Sequence, residues 1–280
     1  MTQGQYHNII LVMENWKDQG IILSAHPHGE GGAVLSCITE HYGRQKGYVH
    51  GANSKKTRAL IEPGTHVELE WQARTADQLG RFTVEPVGGM SAAALLDEPL
   101  KLAALQSACA LCDQALPDRE GHGGLYHGFL ALLDSFQGEH WGVSYVVWEM
   151  ALLKELGFGL DLSRCAGGGE AADIAYMSPK SGCAVSLEKG EPFKEKLLPL
   201  PEFLKRHSQS HNLLGSDEDV YTGIEMTGYF FENWVFAQHS RGIPPARLRF
   251  AARFARYIGL PQDKEDSGEN ASEEKRVRHE

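Results

Sequence analysis

The chain has 280 residues, long enough for one or two domains with a sizeable core. Hydrophobic residues make up 42% and charged residues 23%, close to the average globular mix, so collagen-like and largely disordered proteins are excluded. The formal net charge of −10 argues against capture of nucleic acid over the whole surface, although a local basic patch remains compatible with it.

The cysteine content and the N-terminus point to a reducing compartment. Five widely scattered cysteines do not form the pattern of a disulfide framework. Residues 1–12 lack the basic start and apolar run of a secretory signal, and no apolar stretch approaches the roughly 18 residues of a membrane span. We therefore expect a cytoplasmic protein without a membrane segment.

The N-terminal third shows short β-type runs separated by turn residues. Val67, Leu69 and Trp71 alternate with polar residues, the period-two pattern of a sheet with one buried face. Five antiparallel strands with a long third connection fit a closed barrel of the OB type, and an SH3-like barrel fits the strand count nearly as well. The predicted strands are 20–25, 33–39, 46–50, 66–74 and 79–85.

After Pro86 the hydrophobic period becomes helical. The stretch 159–198, rich in Gly, Ser and Lys, is expected to be irregular. The last twenty residues hold seven acids and four bases with little to bury, which predicts a disordered tail. The predicted helices are 97–116, 125–136, 141–156, a further helix from Pro201, 217–239 and 245–258.

Two residue pairs could carry metal or redox chemistry. Cys109 and Cys112 form a CxxC inside an apolar helical stretch, where core packing is favoured over a redox or metal site. His207 and His211 are four residues apart, but no Glu follows the first in the metalloprotease manner, so a solvated pair is favoured. No catalytic triad or carboxylate pair stands out, and we expect no catalytic site. An enzyme of the helical part, using these four residues, is the alternative.

One local feature rises above this background. Residues 44–58 contain five bases and no acid. On an OB-type barrel such a cluster would line a groove for single-stranded nucleic acid, with bases on the phosphates and an aromatic ring stacked on a nucleobase. A solvated loop, or a barrel that binds protein, remains open. The candidate DNA-binding residues are Arg44, Lys46, Tyr48, Lys55, Lys56 and Arg58.

An ordered set of segments resembles the bacterial RecO family of recombination proteins. In the barrel these are Asp18 to Leu23, Gly29-Glu30, Leu35 to Thr39 with Gly43, then Gly51, Lys55 to Arg58 and Leu60 to Pro63; further on they are Trp148 to Cys165 and Ser178 to Gly182. The resemblance extends from Met13 to Ile258. It implies an α+β protein with an OB-fold DNA-binding domain at 13–90, a helical domain at 91–260 and a tail at 261–280. It also makes residues 1–12 an extension or a mis-assigned start.

The resemblance further implies a mediator without catalytic activity or cofactor. Such a protein anneals complementary single strands and, with RecR, helps load RecA onto single-stranded DNA coated by the single-stranded-DNA-binding protein. The implied partners are single- and double-stranded DNA, RecR, the C-terminal tail of the single-strand binder and, indirectly, RecA, in a nucleoid-associated setting. Bases that could receive that acidic tail are Arg119, Lys154, Lys205, Arg206, Arg241, Arg247, Arg249 and Arg253.

One departure from the family concerns zinc. Many members carry two CxxC pairs that hold a structural zinc ion. Here the second cysteine of each pair is replaced, by Gly168 after Cys165 and by Ser186 after Cys183. With two of four ligands missing, we predict that the chain binds no metal. The degenerate module, residues 163–186, should then be held by packing of Ile174, Tyr176 and Val185.

Overall fold

A five-stranded β-barrel forms the N-terminal part of the chain in the computed structural model. The sheet order is β1-β2-β3-β5-β4, and β4 closes the barrel on β1. Because β3 pairs with β5 rather than with β4, the barrel is OB-like, and the SH3-like alternative is wrong. The strands are β1 Glu14–His28, β2 Gly32–Thr39, β3 Gly43–His50, β4 His66–Ala73 and β5 Arg81–Pro86.

The structure describes residues 14–75, 77–88, 92–168, 173–205, 215–237 and 241–260. The predicted extension 1–12, the predicted tail 261–280, the domain boundary at residue 90 and the pair His207 and His211 lie outside these ranges.

The barrel interior follows the alternation in the sequence. Val67, Leu69 and Trp71 are buried, as predicted for the inward face of β4. β1 is much longer than the predicted 20–25, because its first half pairs with β4 and its second half with β2. The connection between β3 and β4 contains a short helix that the sequence reading missed, α1 (Lys55–Leu60).

Within the described residues, five longer helices follow the barrel. Four lie at nearly the predicted positions, whereas the helix predicted for 217–239 ends at Phe230 and continues as a π-helical turn, Phe231–Val235. α2 is Pro99–Ala115, α3 Gly123–Ser135, α4 Trp141–Glu155, α6 Asp217–Phe230 and α7 Pro245–Tyr257, with α5 introduced below. One hydrophobic core joins them to the barrel, since Ile21 and Leu23 of β1 belong to the same buried cluster as Leu105 and Ala108 of α2. The outer surface of the barrel at β1 is therefore a packing surface for the helical part.

The prediction that the segment 159–198 is irregular is wrong. The segment forms a three-stranded sheet of order β7-β6-β8, with the short helix α5 (Leu187–Gly190) after β7. The strands are β6 Ile174–Met177, β7 Ala184–Ser186 and β8 Leu198–Pro199. They span two to four residues, too few for a period to show in the sequence. The predicted helix at Pro201 is one 3₁₀ turn, Glu202–Leu204.

A buried ion pair fastens the helices together. Arg247 of α7 donates from Nε to Glu149 Oε1 of α4 at 2.5 Å and from Nη2 to Oε2 at 3.0 Å. The hydroxyls of Tyr145 and Thr227 also donate to Glu149. Glu149 is fully buried and Arg247 is 2% exposed, so the proposed role of Arg247 as a surface receiver of an acidic peptide is wrong.

Within the described residues, no helix is long and apolar enough to cross a membrane.

Candidate nucleic-acid interface

The outer face of β3 carries three of the six candidate residues. Successive side chains of a strand point to opposite faces, so Arg44, Lys46 and Tyr48 share one face of β3. Across the sheet, Lys46 lies opposite Ser36 and Tyr48 opposite Val34.

Tyr48 lies at the centre of an aromatic platform. Its half-buried ring is 4.6 Å from the ring of His50 and 6.0 Å from that of His28, both in edge-on geometry. The ring lies over Gly32, where an added Cβ would come within 1.9 Å of the tyrosine hydroxyl oxygen. Glycine at this position therefore allows the ring to lie flat on β2, flanked by two exposed histidines.

The three bases of α1 are exposed and lie beside this platform. Ser54 caps the helix by accepting a hydrogen bond from Thr57 N–H at 3.1 Å. The preceding loop is tied to the β1–β2 turn, because Ala52 N–H donates to Gly31 O at 2.9 Å. Arg58 and Gly32 line the same small recess of about 180 Å³. Since Gly32 also lies beneath Tyr48, the fold brings Arg58 close to the aromatic platform. The exposed α1 bases are Lys55, Lys56 and Arg58.

Arg44 is placed differently from the other candidates. Its guanidinium donates to Leu116 O at 2.8 Å and pairs with Asp118 at 2.7 Å and with Asp113 at 3.4 Å. The side chain is only 10% exposed. Arg44 thus joins the barrel to the end of α2, and we leave it out of the proposed contact set. Lys46 lies 3.7 Å from the same Asp118, but its side chain is 44% exposed.

A cleft of about 1050 Å³ separates this barrel face from the helical part. Its barrel wall includes His26, Ser36 and Lys46, and its opposite wall includes Arg241 and Arg249. The Ser36 hydroxyl is buried and has no hydrogen-bond partner among the described residues.

Of the two platform histidines, His50 left a readable signal in the sequence, since charged, aromatic or histidine side chains occupy every second position from Arg44 to His50. Arg241 and Arg249 left none, because they reach the cleft only through the packing of α7 on α2.

The thiols of the enzymatic alternative are not available for chemistry. Cys109 and Cys112 are buried in the core, as the packing interpretation predicted. Burial raises the pKa of both thiols well above the ordinary value, which keeps them protonated. Cys109 Sγ donates to Ile22 O of β1 at 3.7 Å, so this side chain helps to seat α2 on the barrel.

Within the described part of the degenerate module, residues 163–168 and 173–186, hydrogen bonds join Cys165 to Ser186. The Cys165 sulfur accepts a hydrogen bond from Ser186 N–H at 3.2 Å and lies 3.5 Å from the Ser186 hydroxyl. Burial raises the pKa of the Cys165 thiol, but the hydrogen bonds with Ser186 and Gly167 outweigh that effect and lower it overall. Ile174 and Val185 are buried as predicted, whereas Tyr176 is half-buried. The absence of zinc stays a prediction, which elemental analysis of protein purified without chelator tests.

Among the described residues, one group of three has potential metal ligands close together: Asp18, Glu40 and His41. Asp18 is already occupied, because its oxygens accept from the backbone N–H groups of Gln19 at 2.9 Å and His41 at 2.8 Å. The hydrogen bond with Asp18 raises the pKa of His41. This cluster fixes the turn between β2 and β3.

Comparisons with known proteins agree with this architecture. The family model "Recombination protein O N terminal" matches residues 13–90, and "Recombination protein O C terminal" matches residues 96–242. Together they cover most of the chain. It belongs to the RecO family.

Relatives named "DNA repair protein RecO" align over nearly their whole length. The protein from Rhodospirillum centenum is 46% identical over 241 residues, covering 85% of this chain and 94% of the relative. That from Rhodospirillum rubrum is 43% identical over 251 residues, covering 88% and 98%. That from Caulobacter vibrioides (strain NA1000 / CB15N) is 42% identical over 241 residues, covering 86% and 97%. Membership in RecO, a family of DNA repair and recombination proteins, confirms the resemblance seen in the sequence.

Proposed function

We propose that the outer face of β3, with the adjoining ends of β1 and β2 at His28 and Gly32, binds single-stranded DNA together with α1. Phosphates would contact Lys46, Lys55, Lys56 and Arg58, and Tyr48 would stack on a base. The observation that carries this proposal is the position of Tyr48 between two exposed histidines and beside the recess of Arg58.

We further propose that the protein anneals complementary strands. Two single strands repel each other through their phosphates. The basic stripe formed by Lys46, Lys55, Lys56 and Arg58 would lower that repulsion where the strands meet. The contacts are to backbone and to one base face, so they are independent of sequence and leave the pairing edges free. Double-stranded DNA, the annealed product, would bind through the same phosphate contacts.

Family membership supports the partner proposals. We propose that the protein acts with RecR and helps load RecA onto DNA covered by the single-strand binder, in the nucleoid of the cytoplasm. The acidic tail of that binder would dock on exposed bases of the helical domain. Of the residues considered for this role, Arg119, Lys154, Arg241, Arg249 and Arg253 are exposed. Lys205 is already paired with Glu202, and Arg206 lies outside the described residues.

An annealing assay tests the proposal. Complementary oligonucleotides, bare or coated by the single-strand binder, are mixed with the full chain, and duplex formation is followed by fluorescence. We expect faster annealing on both substrates. A variant in which Lys46, Lys55, Lys56 and Arg58 are replaced by Gln should lose most of the acceleration while keeping its folded circular-dichroism spectrum. Equal annealing by the variant and the natural chain would show that the stripe is not the interface.

A further inference from the structure

The last helix of the described chain, α7, exposes three arginines. Arg249, Arg253 and Arg256 of α7 are spaced at steps of four and three, so they lie on one face of the helix, and all three are exposed. Arg241, in the loop before α7, is exposed and lines the same cleft wall as Arg249. α7 itself contains no acidic residue. We call these four residues the arginine face.

The arginine face has no acidic partner in the part of the chain that the structure describes, where none of its members lies within 4 Å of a carboxylate. Many other exposed bases do: Lys17 pairs with Glu70, Arg164 with Asp161 and Lys194 with Glu191. In a chain with net charge −10, these four arginines join the α1 bases as neighbouring exposed cations without a carboxylate partner among the described residues. This surface is therefore suited to an acidic ligand.

The sequence restricts which acidic residues of this chain could bind the arginine face. Outside the described ranges, acidic residues occur only at Glu170 and in the segment after residue 260. Residues 263–274 contain six acids and one lysine. This acidic segment is Asp263-Lys-Glu-Asp-Ser-Gly-Glu-Asn-Ala-Ser-Glu-Glu274.

The acidic segment begins within reach of the arginine face. An extended chain spans about 3.3 Å per residue, whereas a helix rises about 1.5 Å per residue. A segment that turns back after α7 ends at Tyr257 can therefore pass along the whole helix within a few residues. A short tether of this kind gives an effective concentration on the order of millimolar.

We propose that residues 263–274 dock on the arginine face and compete there with external polyanions. The docking is intramolecular and electrostatic, so it weakens as salt rises. A single-stranded DNA in the cleft would have to displace the segment from Arg241 and Arg249. Only this competition rests on the proposed DNA-binding function. The match to the C-terminal family model ends at residue 242, so α7 and the acidic segment lie outside the region that the model covers.

Docking is tested without DNA. The six acids of the segment are changed to Asn or Gln in the full chain, and amide chemical shifts of the ¹⁵N-labelled natural and changed proteins are compared by NMR. We expect shift differences at 241 and along 249–256 in low salt, which fade above about 0.5 M salt as the pairs are screened. Differences confined to residues 261–280 would overturn the proposal.

Competition is tested by titrating a fluorescent single-stranded oligonucleotide. Neutralising the segment should tighten binding about three- to tenfold at low salt, with little effect at high salt. The matched control neutralises six exposed acids elsewhere, without ion pairs among the described residues: Glu68, Glu85, Asp97, Glu139, Glu195 and Glu232. An equal gain in the control would mean that net charge alone acts, and would overturn the competition.

The two measurements fail separately. If neither protein binds DNA, the proposed function fails while the shift comparison still decides the docking. If DNA shifts the arginine face but neutralising the segment does not, the face binds nucleic acid alone and the proposal is wrong.

Discussion

Arginine side chains in this chain take opposite roles that the sequence alone does not separate. Arg44 and Arg247 read as surface bases, yet both are buried against carboxylates supplied by distant segments, Asp113 and Glu149. A sequence pattern reports neighbours along one element and therefore could not show pairs separated by 69 and 98 residues. Arg249 and Arg253, in the same helix as Arg247, remain exposed.

Glu149→Gln should destabilise the helical part strongly. It leaves the Arg247 guanidinium buried without its counter-charge, which costs about 3–5 kcal/mol. Urea unfolding of the natural and changed chains measures this. Adding Arg247→Met to Glu149→Gln should recover much of the loss, because an apolar side chain needs no counter-charge. Glu232→Gln, an exposed change in the turn after α6, is the control and should stay within about 0.5 kcal/mol. Similar losses from Glu149→Gln and Glu232→Gln would contradict this account of the pair.

Tyr48→Ala should weaken single-strand binding without unfolding the barrel. Loss of one stacked base costs about 1–3 kcal/mol, or roughly five- to 150-fold in the dissociation constant. Tyr48→Phe keeps the ring and should bind like the natural chain. Fluorescence anisotropy with a short oligonucleotide compares the three proteins. If Phe and Ala weaken binding alike, the hydroxyl rather than the ring is responsible and stacking is wrong.

At the scale of elements, length and periodicity determined what could be predicted. β4 and the helices α2, α3, α4 and α7 were placed within a few residues because their apolar positions repeat over eight or more residues. α1 is six residues long and buries no side chain, so it left no periodic signal, although Ser54 and Thr57 have the spacing of a cap. The sheet β6–β8 was missed because tertiary packing, not propensity, sustains its short strands.

The contact between β4 and α3 should loosen in acid through His66. Its Nε2 lies 2.9 Å from the hydroxyl of Tyr126, and burial lowers the pKa of His66 below its ordinary 6.5. Above pH 6.5 the ring is neutral in both folded and unfolded chains. As pH falls below 6.5 the unfolded chain takes up the proton first, so stability declines until the folded pKa is passed.

Urea unfolding at pH 7.5 and 5.5 tests the role of His66. The natural chain should lose more stability on acidification than His66→Gln does. His41 works in the opposite direction, because the hydrogen bond with Asp18 raises its pKa and adds stability below pH 6.5, lost again as pH rises through the raised value. His41→Gln should therefore steepen the acid loss. An identical pH dependence in the natural chain and His66→Gln would contradict the assignment.

For the whole molecule, the central feature is the segregation of charge. The chain is acidic overall, yet bases gather at α1, along β3 and on the arginine face. Of these bases, Lys46, Arg241 and Arg249 line the cleft between barrel and helices. The cluster at residues 44–58 could be predicted from the sequence, and so could its position on a barrel. The opposite wall of the cleft could not, because α7 is more than 180 residues further along the chain and reaches the cleft only by packing on α2.

The salt dependence of single-strand binding tests the central claim most directly. For single strands the logarithm of the association constant falls by about 0.7 per decade of salt for each phosphate neutralised. Replacing Lys55, Lys56 and Arg58 by Ala should remove two to three phosphate contacts and flatten the slope accordingly. Replacing Lys180, Lys189 and Lys196, exposed bases of the helical domain, should leave it unchanged. A slope that stays the same when the α1 bases are removed would contradict the account.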